Sequence, residues 1–173
     1  MPVPPPEPTT VYLVRHGATA WNEAGRWAGR ADMPMSELGR RQIERLAARL
    51  AAAAPVARIY TSPLARARET AAILDAALGA GVAVDPRLVE VSYGAWEGKR
   101  PAEVRATPEG AAWYDRWEAR PGSVPAPGGE LAADALARAL AALREVAARH
   151  PGARVVVCGH RSLNRIVLAH ALG

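Results

Sequence analysis

The chain has 173 residues and a mass of 18.3 kDa, with 50% apolar and 23% charged residues, a composition that excludes whole-chain disorder. That length suits one domain with its own core. The formal net charge is +5, but no Lys/Arg-rich run occurs, so nothing beyond charge argues for nucleic acid.

Residues 1–9, which open MPVPPPEPTT, read as a flexible Pro-rich arm ahead of a single domain over 10–173. The opening stretch lacks the apolar and basic regions of a secretory signal, and no apolar run is long enough for a membrane span. The expected address is cytoplasmic. Cys158 is the only cysteine, so neither an intrachain disulfide nor a Cys-based zinc site is expected.

Val11-Tyr12-Leu13-Val14 reads as a buried strand that stops at Arg15-His16-Gly17. A polar, Gly-containing loop runs to Met35. Ser36 is the N-cap of a helix with Ile43, Leu46 and Leu50 at helical spacing, closed by Pro55. Residues 57–61 read as a second strand, Ser62-Pro63 as a turn, and 64–78 as a helix ended by Gly79 and Gly81. Residues 82–84 form a short strand. A polar, Trp-containing stretch covers 86–128, with a helix near 109–118. A strong helix spans 130–149, its apolar face carrying Leu131, Leu136, Leu140, Leu143 and Val146. Residues 153–158 are the most strand-like run, Gly159-His160 ends it, and 163–172 looks helical. Strands alternating with helices predict an α/β, three-layer α/β/α sandwich on a mostly parallel sheet.

In such sheets ligands collect beyond the carboxyl ends of the strands. Three strands end in chemistry-bearing residues: Arg15-His16, the turn leading to Arg66, and His160. Singly, each has an ordinary reading as a structural histidine or a solvated arginine. Together they can work on phosphate. A neutral imidazole is a nucleophile near neutral pH, and arginines hold the oxygens of a transferring phosphoryl group. A carboxyl can protonate the leaving oxygen and then activate water. That set needs neither metal nor cofactor.

Leu13-Val14-Arg15-His16-Gly17-Ala18-Thr19-Ala20-Trp21-Asn22 resembles the opening signature of the histidine phosphatase superfamily, phosphoglycerate mutase-like branch (branch 1). Gly25, Gly29, Asp32, Pro34, Leu38-Gly39 and Gln42 resemble the segment after it. Thr61-Ser62-Pro63-Leu64-Ala65-Arg66-Ala67, Leu88-Val89-Glu90 with Tyr93-Gly94-Ala95-Trp96-Glu97-Gly98, Pro127-Gly128-Gly129-Glu130, and Val157-Cys158-Gly159-His160 resemble the later motifs, in order. The resemblance implies His16 as nucleophile, with Arg15, Arg66 and His160 clamping the phosphoryl group. It implies Asn22 and Thr19 as phosphate contacts, and Glu90 as proton donor and then base.

The sequence also departs from the family. Arg161-Ser162 stands where Gly-Gly is common; Arg161 either reaches into the pocket to select anionic substrates or points to solvent. Leu131 replaces a common serine, and Lys99 is the one lysine among 22 basic residues, which leaves 21 arginines. Relatives usually continue with another strand where this chain ends, which reads either as a minimal version or as a truncated C-terminal part, and an absent edge strand invites self-association into a homodimer. The function expected is hydrolysis of a small phosphorylated metabolite. The alternatives are a phosphoglycerate mutase, which the short 99–126 insert disfavours, and a catalytically silent phosphoester-binding module.

Overall fold

In the computed structural model residues 7–53 and 55–173 are described. The elements are β1 (Thr10–Arg15), α1 (Ala20–Glu23), α2 (Glu37–Ala51), β2 (Arg58–Thr61), α3 (Ala65–Leu78), β3 (Val82–Val84), α4 (Pro101–Val104), α5 (Pro108–Ala119), α6 (Ala132–Arg149), β4 (Arg154–Gly159) and α7 (Arg161–Leu172). Single 3₁₀ turns at Pro86–Leu88 and Gly94–Trp96 punctuate the long stretch before α4.

The four strands are parallel in the order β1-β4-β2-β3, so the last strand in sequence lies between the first and second. Central position explains the composition of β4, whose Val155, Val156, Val157 and Cys158 are all buried. Successive side chains alternate between the faces. Val14, Ile59, Val156 and Cys158 pack with Ile43, Ala47 and Leu50 of α2 and Ala71 and Leu74 of α3. Tyr60, Val155 and Val157 pack with Ala142 and Val146 of α6, and α6 packs in turn on Leu163 and Val167 of α7. The fold is thus the three-layer α/β/α arrangement read from the sequence. Ile59 and Leu74 are fully buried, each contributing about 1.5–3 kcal/mol over exposure.

Local signals account for most boundaries. The Ser36 side chain accepts from the Gly39 N–H and caps α2, which ends at Ala51, ahead of Pro55. Gly79 closes α3 in the left-handed region, φ 61°. The buried line of α6 differs from the leucine face expected: it is Ala135, Ala139, Ala142 and Val146, while Leu131 is exposed and Leu136 and Leu143 sit at its flanks. Small side chains let the helix lie close on the sheet, and the larger ones fill the margins.

Residues 86–128 are anchored by aromatic packing. Trp27 stacks on Trp96 with centroids 5.2 Å apart, and Tyr93, Tyr114 and Trp117 close around them. Of the arm expected over 1–9, residues 1–6 lie outside the described residues. Beyond them Thr9 Oγ1 donates to the carbonyls of Ala147 (3.0 Å) and His150 (2.8 Å), and the Gly152 N–H donates to Glu7 O. Among the described residues no helix is long and apolar enough to cross a membrane.

Candidate active site

Strand order decides what meets at the carboxyl edge. Because β4 lies between β1 and β2, the segments that follow all three are neighbours. The His16 N–H donates to Gly159 O (3.1 Å) and the Ser62 N–H to Cys158 O (3.0 Å), so backbone bonds stitch the segments together. The loop after β1 also threads a tight crossing with α2. A Cβ on Gly39 would stand 2.2 Å from Ala18 O, and one on Gly17 would stand 2.4 Å from Gly39 O. Only glycine permits that approach.

His16 is buried, and its Nδ1 lies 2.7 Å from Gly17 O. A carbonyl only accepts, so Nδ1 carries the proton and Nε2 presents a lone pair. Arg66 Nε donates to that Nε2 at 3.2 Å. Burial, reinforced by the charges of Arg66 and Arg15 and opposed by the Gly17 carbonyl, pushes the His16 pKa down to about 4. The ring is therefore neutral at physiological pH.

The sign for stability follows. Below its unfolded pKa near 6.5 the unfolded state binds the proton more tightly. The His16 contribution is present above that value and is lost as pH falls through about 4. In a ring-proton NMR titration the His16 signal should move near pH 4; a midpoint near 6.5 would contradict this environment.

Arg66 is completely buried on the first turn of α3. Besides His16, its Nη1 donates to Ala31 O and its Nη2 to Gly29 O, both at 2.7 Å. The N-cap of α3, Leu64, has no capping side chain; instead Asp32 Oδ1 accepts from the Ala65 N–H at 2.7 Å. Thr70 ties the two segments, accepting from the Gly17 N–H and donating to Arg66 O.

His160 is also fully buried, 5.2 Å from His16 between ring centroids. Its Nε2 pairs with Ser62 Oγ at 2.7 Å, while its Nδ1 is buried and has no partner among the described residues. Burial first, then the Arg66 charge, drives its pKa well below the ordinary value.

Glu90 is buried beneath α7. Its Oε1 accepts from the N–H groups of Val91 (2.9 Å) and Leu163 (3.0 Å), and its Oε2 from that of Ser162 (3.1 Å). The carboxyl caps α7 from another part of the chain, since the N-cap His160 side chain makes no capping bond. Burial raises its pKa above the usual carboxylate range, with these three N–H donors and Arg66 opposing.

Arg15 stands at the edge of the same cluster, within the field of Glu90 and Arg161. Thr19 is fully buried; its Oγ1 accepts from the Asn22 N–H and its N–H donates to Asn22 Oδ1. This reciprocal cap of α1 fixes the Asn22 amide and leaves Nδ2 as its uncommitted donor. Arg161 opens α7 with its side chain exposed.

Several supporting residues escaped the sequence reading. Ser62 orients His160. Arg138 donates to the carbonyls of Arg87, Val89 and Glu90, and it and Arg30 both pair with Glu130. Glu97 Oε1 accepts from the N–H groups of Arg30 and Tyr93. Ser62, Glu97 and Glu130 stand in the quoted motifs without an assigned role, whereas an arginine within an amphipathic helix reads as solvated. The basic residues of the insert are largely engaged elsewhere. Arg105 pairs with Asp115 and Glu118 and covers the Tyr114 ring, Arg116 covers Trp113, and Arg100 donates to Ala24 O.

Comparison with known proteins adds a family, two relatives and one solved structure. The family described as histidine phosphatase superfamily (branch 1) matches residues 11–173. The bifunctional protein Rv2228c of Mycobacterium tuberculosis is 36% identical over 165 residues, 95% of this chain but 44% of that protein, so the chain spans under half of that relative. Phosphoserine phosphatase 1 of Hydrogenobacter thermophilus is 35% identical over 164 residues, covering 94% of this chain and 76% of that one. Among solved structures, Bacillus stearothermophilus YhfR superposes with a TM-score of 0.86 at 36% identity, covering 94% of this chain and 79% of that chain.

Proposed function

The chain belongs to the histidine phosphatase superfamily, branch 1, and on that premise we propose that it hydrolyses a small phosphomonoester through a phosphohistidine, without a metal. The observation that carries the reading is the His16 ring, neutral and held by Gly17 O so that Nε2 faces Arg66. Relatives named as phosphatases support the same class.

In the free site the Nε2 lone pair accepts from Arg66. An entering phosphoryl group takes the Arg66 donor onto its own oxygen, and the lone pair turns to phosphorus. The N–P bond forms as the ester P–O bond breaks, and Glu90 passes its proton to the leaving oxygen. Arg15, Arg66, the Nδ1 of His160 and the Nδ2 of Asn22 hold the phosphoryl oxygens. Glu90, now a carboxylate, takes a proton from water as that water attacks phosphorus. The N–P electrons return to His16, and orthophosphate leaves.

The raised pKa of Glu90 suits a donor that is also a base. Glu90→Gln should lower kcat/KM by about 10²–10³-fold for alkyl phosphates and by far less for aryl phosphates, whose leaving oxygen needs no proton. Equal slowing across the series would remove Glu90 from the donor role.

A mutase needs cations over the site to retain and re-present its substrate. The commitments of Arg100, Arg105 and Arg116 within the insert favour hydrolysis. Assay of 3-phosphoglycerate with a bisphosphoglycerate primer tests this: net phosphate release is expected, and interconversion without release would overturn it.

A further inference from the structure

Arg138, on α6, has no task in the mechanism above, yet every N–H of its guanidinium is committed. An arginine side chain offers five such donors. Nε and one N–H of Nη2 form a two-point pair with Glu130, at 2.9 and 2.8 Å. Both N–H groups of Nη1 go to backbone, to Arg87 O and Val89 O at 2.6 Å each. The second N–H of Nη2 goes to Glu90 O at 3.3 Å. No donor is left for a phosphoryl oxygen, so Arg138 is not a further phosphate clamp.

Three carbonyls from one short segment, residues 87–90, thus converge on a single cation. Carbonyl oxygens pointed at one place repel each other unless a donor sits among them. Leu88 is buried in the cluster that contains Tyr60, Ala142 and Val146, which fixes the 3₁₀ turn to the core. The direction in which the chain then leaves toward Glu90 is held by Arg138, which bonds the carbonyls on both sides of Leu88. Arg30 joins it: its Nε donates to Glu90 O at 3.2 Å and its Nη2 pairs with Glu130 at 3.1 Å. The main chain of Glu90 is therefore held from α6, and its carboxyl is held from α7 by the N–H groups of Ser162 and Leu163. A side chain fixed at both ends has one place to stand.

We infer that Arg138 is a positioning residue for proton donation. Braced by Glu130, it sets where the Glu90 carboxyl stands relative to the leaving oxygen. This inference rests on the phosphatase reading, in which Glu90 is the donor. Lysine keeps the charge, but its single nitrogen cannot span Glu130 and three carbonyls.

Arg138→Lys is therefore the test. In this mechanism kcat/KM covers the steps up to release of the alcohol, so it reads protonation of the leaving oxygen. For glycerol 3-phosphate, an alkyl ester, the variant should lose about 10–100-fold in kcat/KM. For p-nitrophenyl phosphate, whose leaving oxygen needs no proton, the loss should stay below about threefold. Added to Glu90→Gln, Arg138→Lys should slow the alkyl ester little further, because the positioned group is already gone. Equal loss on the two esters, or a full further loss in the double variant, would mark a merely structural residue and overturn the assignment. Glu130→Gln weakens the brace and should give the same pattern to a smaller extent; it replaces the lysine variant if that variant does not fold.

Amide exchange reads the same positioning without turnover. The Ser162 and Leu163 N–H groups are bound to the Glu90 carboxyl, so NMR should show them exchanging at least about tenfold faster in Arg138→Lys. Unchanged protection would overturn the inference. Hydrolysis of p-nitrophenyl phosphate by the wild-type protein tests the phosphatase reading separately. A protein inactive in that assay would fail as a phosphatase, and the exchange rates would still decide whether Arg138 positions Glu90.

Discussion

His16→Ala is expected to lower phosphate release at least about 10⁴-fold on every phosphomonoester tested, a loss of the size seen when a covalent nucleophile is removed. The reason lies in the geometry of the ring. Nδ1 is committed to Gly17 O, so the free lone pair of the ring is on Nε2, and a pKa near 4 keeps it available at neutral pH. His160 is not a substitute, since its Nε2 is paired with Ser62 and its Nδ1 serves in this reading as a donor to the phosphoryl oxygens. A rapid quench with ³²P-labelled substrate provides the check. Wild-type protein should retain an acid-labile, base-stable label that the variant lacks. Undiminished activity in the variant would refute the phosphohistidine.

Arg66→Ala should damage both stability and activity. The guanidinium is completely buried and donates to His16 Nε2, Ala31 O and Gly29 O. Alanine leaves the buried Gly29 carbonyl and the partly buried Ala31 carbonyl unpaired and opens a cavity, a loss of about 3–5 kcal/mol in urea unfolding. Activity should fall by about 10²–10³-fold from the lost phosphoryl contact alone. Arg66→Lys separates the two effects. It keeps a charge but cannot reach His16, Ala31 and Gly29 together, so it should recover part of the stability and little of the rate. Full recovery of the rate by lysine would show that charge, rather than the fork, is what the site uses.

Arg66 also illustrates what was readable in the chain. Its place in the Ser62-Pro63-Leu64-Ala65-Arg66 motif marked it as a phosphate ligand. Its partners did not show, because Gly29 and Ala31 belong to a loop more than thirty residues away in sequence. Glu90 is similar. Its motif named it, but its capping of α7 depends on a contact across 73 residues. Arg138 had no local mark and Ser62 stood in its motif without a role, since their roles exist only through the carbonyls and the histidine they hold. The leucine face of α6 misled for a related reason. Side-chain size is visible in sequence, whereas the closeness of helix and sheet is not.

The four strands, the five longer helices and the residues placed at the strand ends were legible in the chain, whereas the single-turn helices α1 and α4 were not. The legible features depend on short-range periodicity, caps and turn residues, which act within a few positions. The tertiary structure alone decided that β4 enters between β1 and β2 and so brings His16, Arg66 and His160 together. It also decided the tautomer and low pKa of His16, the raised pKa of Glu90, and the opposition of Arg15 and Arg161. Proton affinity is set by burial and by nearby charge, and both are properties of the folded neighbourhood rather than of the residue.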